Sequence, residues 1–210
     1  MMDLAEQFGG IDIYLFDQLL KGRLPPGTRL LDAGCGGGRN LVYFLRAGFE
    51  VYGVDESAES ISRVRRLAAA LNPALPAGNF AVAAVEQMPL PDDHFGAVLS
   101  SAVLHFARDR EHFRAMLGEM WRVLRPGGLF FARLASSIGI EGLITPLGGG
   151  RHLLPDGSER FLVDEADLAR HAEELGAAWV EPLKTTNVQN LRCMTTWVLR
   201  KGPGAGLSDT

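Results

Sequence analysis

The stretch LLDAGCGGGRN, Leu30 to Asn40, decides the fold. It has an apolar lead, an acid at Asp32, and four glycines between Gly34 and Gly38. A short apolar run that passes into a glycine-rich turn reads as a buried strand ending in a ligand-holding loop. Upstream, Asp3 to Leu20 has the pattern of a helix, stopped near Gly22 and the Pro25-Pro26 pair. Downstream, helical and strand-like stretches alternate. Arg39 to Ala47 reads as a helix, Glu50 to Val54 as a second strand, and Ser57 to Leu71 as a helix capped by Ser57 or Ser60. Phe80 to Val85 and Phe95 to Ser101 follow as strands. Asp109 to Leu124 carries a core-facing stripe of Phe113, Met116, Leu117, Met120, Val123 and Leu124. Pro126-Gly127-Gly128 ends that helix, and Leu129 to Leu134 is a fifth strand.

Such alternation predicts a parallel sheet covered on both faces. Right-handed crossovers place the first and fourth strands side by side at a topological switch point, where ligands sit at the carboxyl ends of strands. The C-terminal third departs from the alternation. Ser136 to Phe161 is a long glycine-rich connection, of the length that often forms a lid or binding loop. Asp164 is placed to cap a helix running to Leu175. Ala178 to Thr186 and Leu191 to Lys201 read as a final antiparallel hairpin. The tail from 202 to 210 has the composition of a disordered end.

Formal charge is 21 − 25 = −4, so no overall basic field favours nucleic acid. Two cysteines, Cys35 and Cys193, make neither a disulfide framework nor a zinc site. The acidic N-terminal stretch is unlike a secretory signal, and no apolar run approaches the roughly 20 residues of a membrane span. A cytoplasmic protein, with no membrane partner, is expected.

Which nucleotide does the turn hold? A dinucleotide fingerprint, G-x-G-x-x-G, would need glycine where Arg39 stands. The acid matters more. A pyrophosphate would be repelled by Asp32, whereas a cationic ligand is attracted. S-adenosylmethionine carries a sulfonium and an ammonium and no phosphate. Asp55, ending the second strand about twenty residues past the first glycine, is placed for a ribose hydroxyl, which both cofactors have. An NAD-dependent oxidoreductase is therefore the weaker alternative, beside a non-catalytic sensor of the same cofactor.

With these residues in register, the chain resembles the class I S-adenosylmethionine-dependent methyltransferases over about residues 25 to 200. The resemblance rests on LLDAGCGGGRN, VYGVDES, MPLPDDHFGAVLSSAVLHF and VLRPGGLFF. Within the class it is similar to small bacterial enzymes acting on low-molecular-weight acceptors, including those called tellurite-resistance-like. The resemblance implies a Rossmann-like three-layer α/β sandwich, with a seven-stranded, mostly parallel sheet and an antiparallel last strand. It implies a helical lid over residues 1–24, a domain over 25–201 with a lid-like insertion at about 136–161, and a monomer or homodimer. It implies that Gly34, Cys35 and Gly36 let backbone approach the cofactor. Asp32 would lie near the cofactor's amino-acid end, and Asp55 would hold the ribose with Glu56 and Ser57 flanking it. Ser100 and Ser101 would offer carbonyls to the ammonium. The family often has an acid for adenine after the third strand, and Ala84 stands there instead. Val85 is then expected to offer its amide, and Glu86 to supply the acid.

Methyl transfer is an in-line displacement that ends in S-adenosylhomocysteine. It needs a base only if the acceptor must lose a proton. His105, just after the fourth strand, is the candidate base, since imidazole titrates near neutrality. Arg133, Arg151, Arg160 and Arg192 raise the expectation of an anionic acceptor, and no metal is called for.

Overall fold

Along the strand Arg29–Ala33 (β1), side chains alternate in direction, so Leu30 and Leu31 enter opposite cores, each fully buried. Two apolar faces demand a layer on each side. The computed structural model, which describes residues 3–203, has both layers. On one side of β1 lie β2 (Glu50–Asp55) and then β3 (Phe80–Val82). On the other lie β4 (Phe95–Ser101) and β5 (Leu124–Ser136), all parallel. The order therefore reverses between β1 and β4, at the switch point the alternation predicts.

The connection from 136 to 161 is not structureless. It folds into a small antiparallel sheet of β6 (Thr145–Gly148), β7 (Arg151–Leu153) and β8 (Glu159–Phe161). The final hairpin also differs from expectation. Its first arm splits into β9 (Ala177–Trp179) and β10 (Lys184–Val188), which pair with opposite ends of β11 (Arg192–Lys201). The break spans Pro182, whose ring nitrogen has no hydrogen to donate to a ladder. β11 runs antiparallel beside β5, giving the seven-strand order β10-β11-β5-β4-β1-β2-β3 with β9 as an eighth strand on β11.

The expected first helix is two helices, α1 (Leu4–Phe8) and α2 (Ile13–Leu20). Gly9 separates them. It takes φ +62°, and a Cβ there would lie 2.6 Å from Val42 Cγ2. α3 (Val42–Arg46) is shorter than expected because residues 39 to 41 belong to the glycine-rich loop. α4 (Ala58–Leu71) is capped by Ser57, whose hydroxyl accepts the Ser60 amide at 3.2 Å. α5 (Arg110–Val123) is capped by Asp109, and α6 (Glu165–Glu174) by a capping box of Asp164 and Asp167. Helices α2, α3 and α4 cover one face of the sheet, and α5 and α6 the other. The helix ends at Val123, before Pro126-Gly127-Gly128, and β5 starts at Leu124 instead of Leu129; the three residues lie within a bulge of that strand, with Phe95 paired to Leu124 and Ala97 to Leu129. The third strand stops at Val82, three residues short of expectation. No helix among the described residues is long and apolar enough to cross a membrane. The tail expected to be disordered falls outside the described residues from 204 onward.

Candidate functional site

Three cavities run along the carboxyl edge of the sheet, joined at two residues. The first, about 330 Å³, lies over the glycine-rich loop and is lined by Gly34, Cys35, Gly36, Arg39, Asn40 and Ser101 among others. The second, about 290 Å³, shares Gly34 and is lined by Asp55, Glu56, Val85, Glu86 and His112. The third, about 270 Å³, shares Ala102 with the second and holds His105, Arg133, Asp156, Arg160 and Arg192. Most of the residues expected to meet the cofactor thus come together on two adjoining walls. Two do not. Ser57 caps α4, and Ser100 is fully buried between strands, its hydroxyl without a partner.

Four amides of the loop are already taken up within the protein. The amides of Gly34 and Cys35 both donate to the Val54 carbonyl at 2.9 Å. Gly36 N–H donates to Asp55 Oδ2 at 2.9 Å, and Gly38 N–H to the Cys35 carbonyl at 3.0 Å. Phosphate-cradling loops instead point free N–H groups at the ligand. Gly34 must be glycine, since its φ is +80° and a Cβ would meet Val103 at 2.5 Å. At Gly36 (φ +52°) no atom lies within 4 Å of a Cβ position, so that side of the loop is open to a ligand.

Asp32 is 2% exposed. Burial pushes its carboxyl up to about 7; the Arg39 guanidinium pulls it down, and Asp55 raises it further. No hydrogen bond contributes to the balance. A buried carboxyl with no hydrogen bond, and only the charge of Arg39 to favour its ionised form, suits a cationic ligand. Asp55 does two tasks already: Oδ2 holds the glycine loop and Oδ1 accepts the Ser57 amide at 2.9 Å. Each oxygen keeps a second lone pair for a hydroxyl. Cys35 packs beneath the loop against Gly53, and burial drives its thiol pKa up, so it is no nucleophile.

Around Glu86 the structure gathers a histidine and an arginine. His112 Nε2 stands 3.0 Å from the carboxylate, off the line a hydrogen bond needs, and Arg108 lies at 3.7 Å. His112 Nδ1 accepts the Arg108 amide at 3.1 Å, so Nε2 bears the hydrogen.

His105 is 6% exposed. Its Nδ1 accepts the Ala135 amide at 3.2 Å, which fixes the neutral ring with its hydrogen on Nε2. Burial, then the charge of Arg160, lowers its pKa to about 4. This is the geometry of a hydrogen-bond donor, and the lone pair a base would use is occupied. Ala102, before it, holds φ +64°, a left-handed conformation unusual for a residue with a Cβ.

Sequence reasoning missed Asp12 and Arg39. Asp12 caps α2, accepting the Tyr14 amide at 2.9 Å, and its buried side chain pairs with Arg133 at 2.8 Å. Its own amide donates to Asn40 Oδ1 at 3.0 Å, tying the N-terminal segment to the glycine loop. An acid before an apolar helical run was the available signal. Arg39, noted in the sequence only as a misplaced glycine, donates to Ser101 Oγ at 3.2 Å.

Residues 31–132 match a family described as a methyltransferase domain. An uncharacterised methyltransferase of Synechocystis is 31% identical over 107 residues, 51% of this chain and 47% of that protein. The chain thus spans about half the length of that curated relative. A crystal structure of a SAM-dependent methyltransferase from Methanosarcina mazei superposes with a TM-score of 0.71 at 19% identity, covering 88% of this chain and 97% of that one. The 1,6-didemethyltoxoflavin-N1-methyltransferase of Burkholderia thailandensis, solved with its small-molecule substrate and S-adenosylhomocysteine, gives 0.66 at 20% identity over 88% and 75%. The fold is therefore that of Rossmann-like methyltransferases.

Proposed function

We propose that this chain, whose residues 31–132 match the methyltransferase domain, is an S-adenosylmethionine-dependent methyltransferase acting on a heteroatom of a small anionic molecule. The observation that carries the reading is the buried, unbonded Asp32 beneath a loop in which the amides of Gly34, Cys35, Gly36 and Gly38 are already engaged. That pair of features suits a sulfonium and ammonium ligand and opposes a pyrophosphate. The cofactor supplies an electrophilic methyl group, already activated by the positive charge on sulfur.

The residues present fit it. Asp55 accepts from the ribose hydroxyls, with Glu56 beside it. Val85 and Glu86 line the adenine end, where Glu86 takes the place of the acid missing at Ala84. Asp32 lies under the amino-acid end, and Arg39 is placed for the carboxylate there. Ala102, common to the second and third cavities, marks where the methyl passes to the acceptor. The N-terminal segment and the insertion at 136–161 frame the acceptor cavity as lids. Likeness to the tellurite-resistance-like branch is part of this proposal.

Calorimetric titration tests the cofactor. S-adenosylmethionine and S-adenosylhomocysteine should bind and NAD should not. Asp55→Ala, which removes both the loop anchor and the ribose acceptor, should weaken binding at least tenfold, a loss typical of hydrogen bonds to a charged group. Binding of NAD at comparable affinity would refute the reading.

A further inference from the structure

The acceptor cavity has donors and positive charge but no group placed to take a proton. Arg160 lies over the Phe106 ring at 5.1 Å, and Arg192 stands 3.7 Å from Asp156. Asp12 and Asp156 offset two of the three guanidiniums, so one positive charge remains in excess. Of the two side chains that could act as bases, His105 has its lone pair engaged, and Asp156 has one oxygen hydrogen-bonded and the other facing Arg192. His105 Nδ1 holds the Ala135 amide. One oxygen of Asp156 takes both the amide and the hydroxyl of Ser158, at 2.9 and 2.6 Å. Hydrogen bonds from Ser158 also hold the Asp156 carboxyl below its ordinary range. Leu154, Val188 and Met194 supply an apolar wall.

Resting on the reading above, we infer that the acceptor is a monocarboxylate with an apolar body, and that the product is its methyl ester. A phenol with an ordinary pKa near 10 would have to yield its proton to His105, whose lone pair already holds the Ala135 amide and whose pKa burial lowers to about 4, or to an Asp156 held below its ordinary range. A protonated amine would be repelled by the arginines. A carboxylate arrives ionised. Its oxygen forms the new bond to the methyl carbon as the carbon–sulfur bond breaks, and the electron pair stays on sulfur. One negative and one positive charge vanish together, so no proton is released. His105, through Nε2–H, orients the carboxylate as a positioning residue beside Arg160.

The test uses the wild-type chain saturated with S-adenosylmethionine and a panel of aliphatic and aromatic monocarboxylates, with phenols and amines of matched size. Expected are alkali-labile products one methyl heavier from carboxylates only, with no proton release in weak buffer. At saturating cofactor, kcat should be flat from pH 6 to 9. Arg160→Gln and His105→Ala should raise KM about tenfold, consistent with losing one charged hydrogen bond, and His105→Gln, which keeps a donor, should restore it. Turnover of phenols or amines in preference to carboxylates overturns the inference, as does the failure of every carboxylate. So does a pH limb between 6 and 8 that disappears in His105→Gln, because it would make His105 the base. S-adenosylhomocysteine titrated into the same samples separates the two failures. Binding without carboxylate turnover sinks this inference alone, and no binding sinks the cofactor reading beneath it.

Discussion

Asp32 sits where folding alone would put an apolar residue. Desolvation raises its carboxyl from 3.8 to about 7. A raised acid binds more protons in the folded chain than in the unfolded one between those values. Stability therefore falls as pH climbs through that window and levels off above it. The penalty reaches at most about 4 kcal/mol, from 1.36 kcal/mol per pKa unit. Without ligand, Asp32→Asn should be the more stable protein at pH 8 and nearly equal to wild type at pH 4.5. Urea unfolding of both at the two pH values checks this, and equal midpoints at pH 8 would remove the strain from the account. A destabilising acid kept under a ligand loop is the pattern of a residue serving binding at the expense of the empty fold.

Elements bring distant residues to the site and hold them. α2 is anchored by Asp12, whose carboxylate is fully buried against Arg133. Tyr14 adds a hydroxyl contact to Thr186 at 2.7 Å and lies 5.3 Å under the Arg133 guanidinium. Asp12→Ala leaves that guanidinium unpaired. Because Arg133 is about a fifth exposed, water offsets part of the loss, and about 1–3 kcal/mol is expected. Limited proteolysis should then cut first within residues 3–20; unchanged protection would mean that other contacts hold the segment. The small sheet depends on Gly150, where φ is +91° and a Cβ would sit 2.4 Å from the Phe161 ring. Phe161 in turn stacks on Phe113 of α5 at 4.9 Å. Gly150→Ala should disturb the acceptor cavity and raise the KM for acceptor while leaving the S-adenosylhomocysteine Kd within about twofold, since the cofactor walls share no residue with this sheet. A matched loss in both constants would tie the insertion to the cofactor as well.

At the scale of the whole molecule, the sheet was legible because its strands are buried on both faces. Phe95–Leu99 is a continuous apolar run, and the observed bounds of its strand, Phe95–Ser101, match those expected. The small sheet was not legible: all of β6 is exposed, so no alternation of apolar and polar residues marks it. The cofactor walls could be read from Asp32, the glycines and Asp55, which lie close in sequence around a single crossover. Of the acceptor cavity, His105, Arg133, Arg160 and Arg192 were named from the sequence, whereas Asp156 in the lining and Asp12 behind Arg133 reach it only through tertiary packing. The state of His105 turned on one amide, from Ala135, thirty positions away.

The most direct measurement compares S-adenosylmethionine with S-adenosylhomocysteine, which differ by a methyl and the positive charge on sulfur. Both are titrated into wild type and Asp32→Asn at pH 8. Asp32→Asn should weaken both ligands, which share the ammonium, and should weaken the sulfonium ligand more than the neutral thioether. In wild type, the preference for the sulfonium should shrink as pH falls below about 7 and Asp32 gains its proton. An equal loss for both ligands, or a preference independent of pH, would contradict the claim that this acid selects the cofactor by its charge.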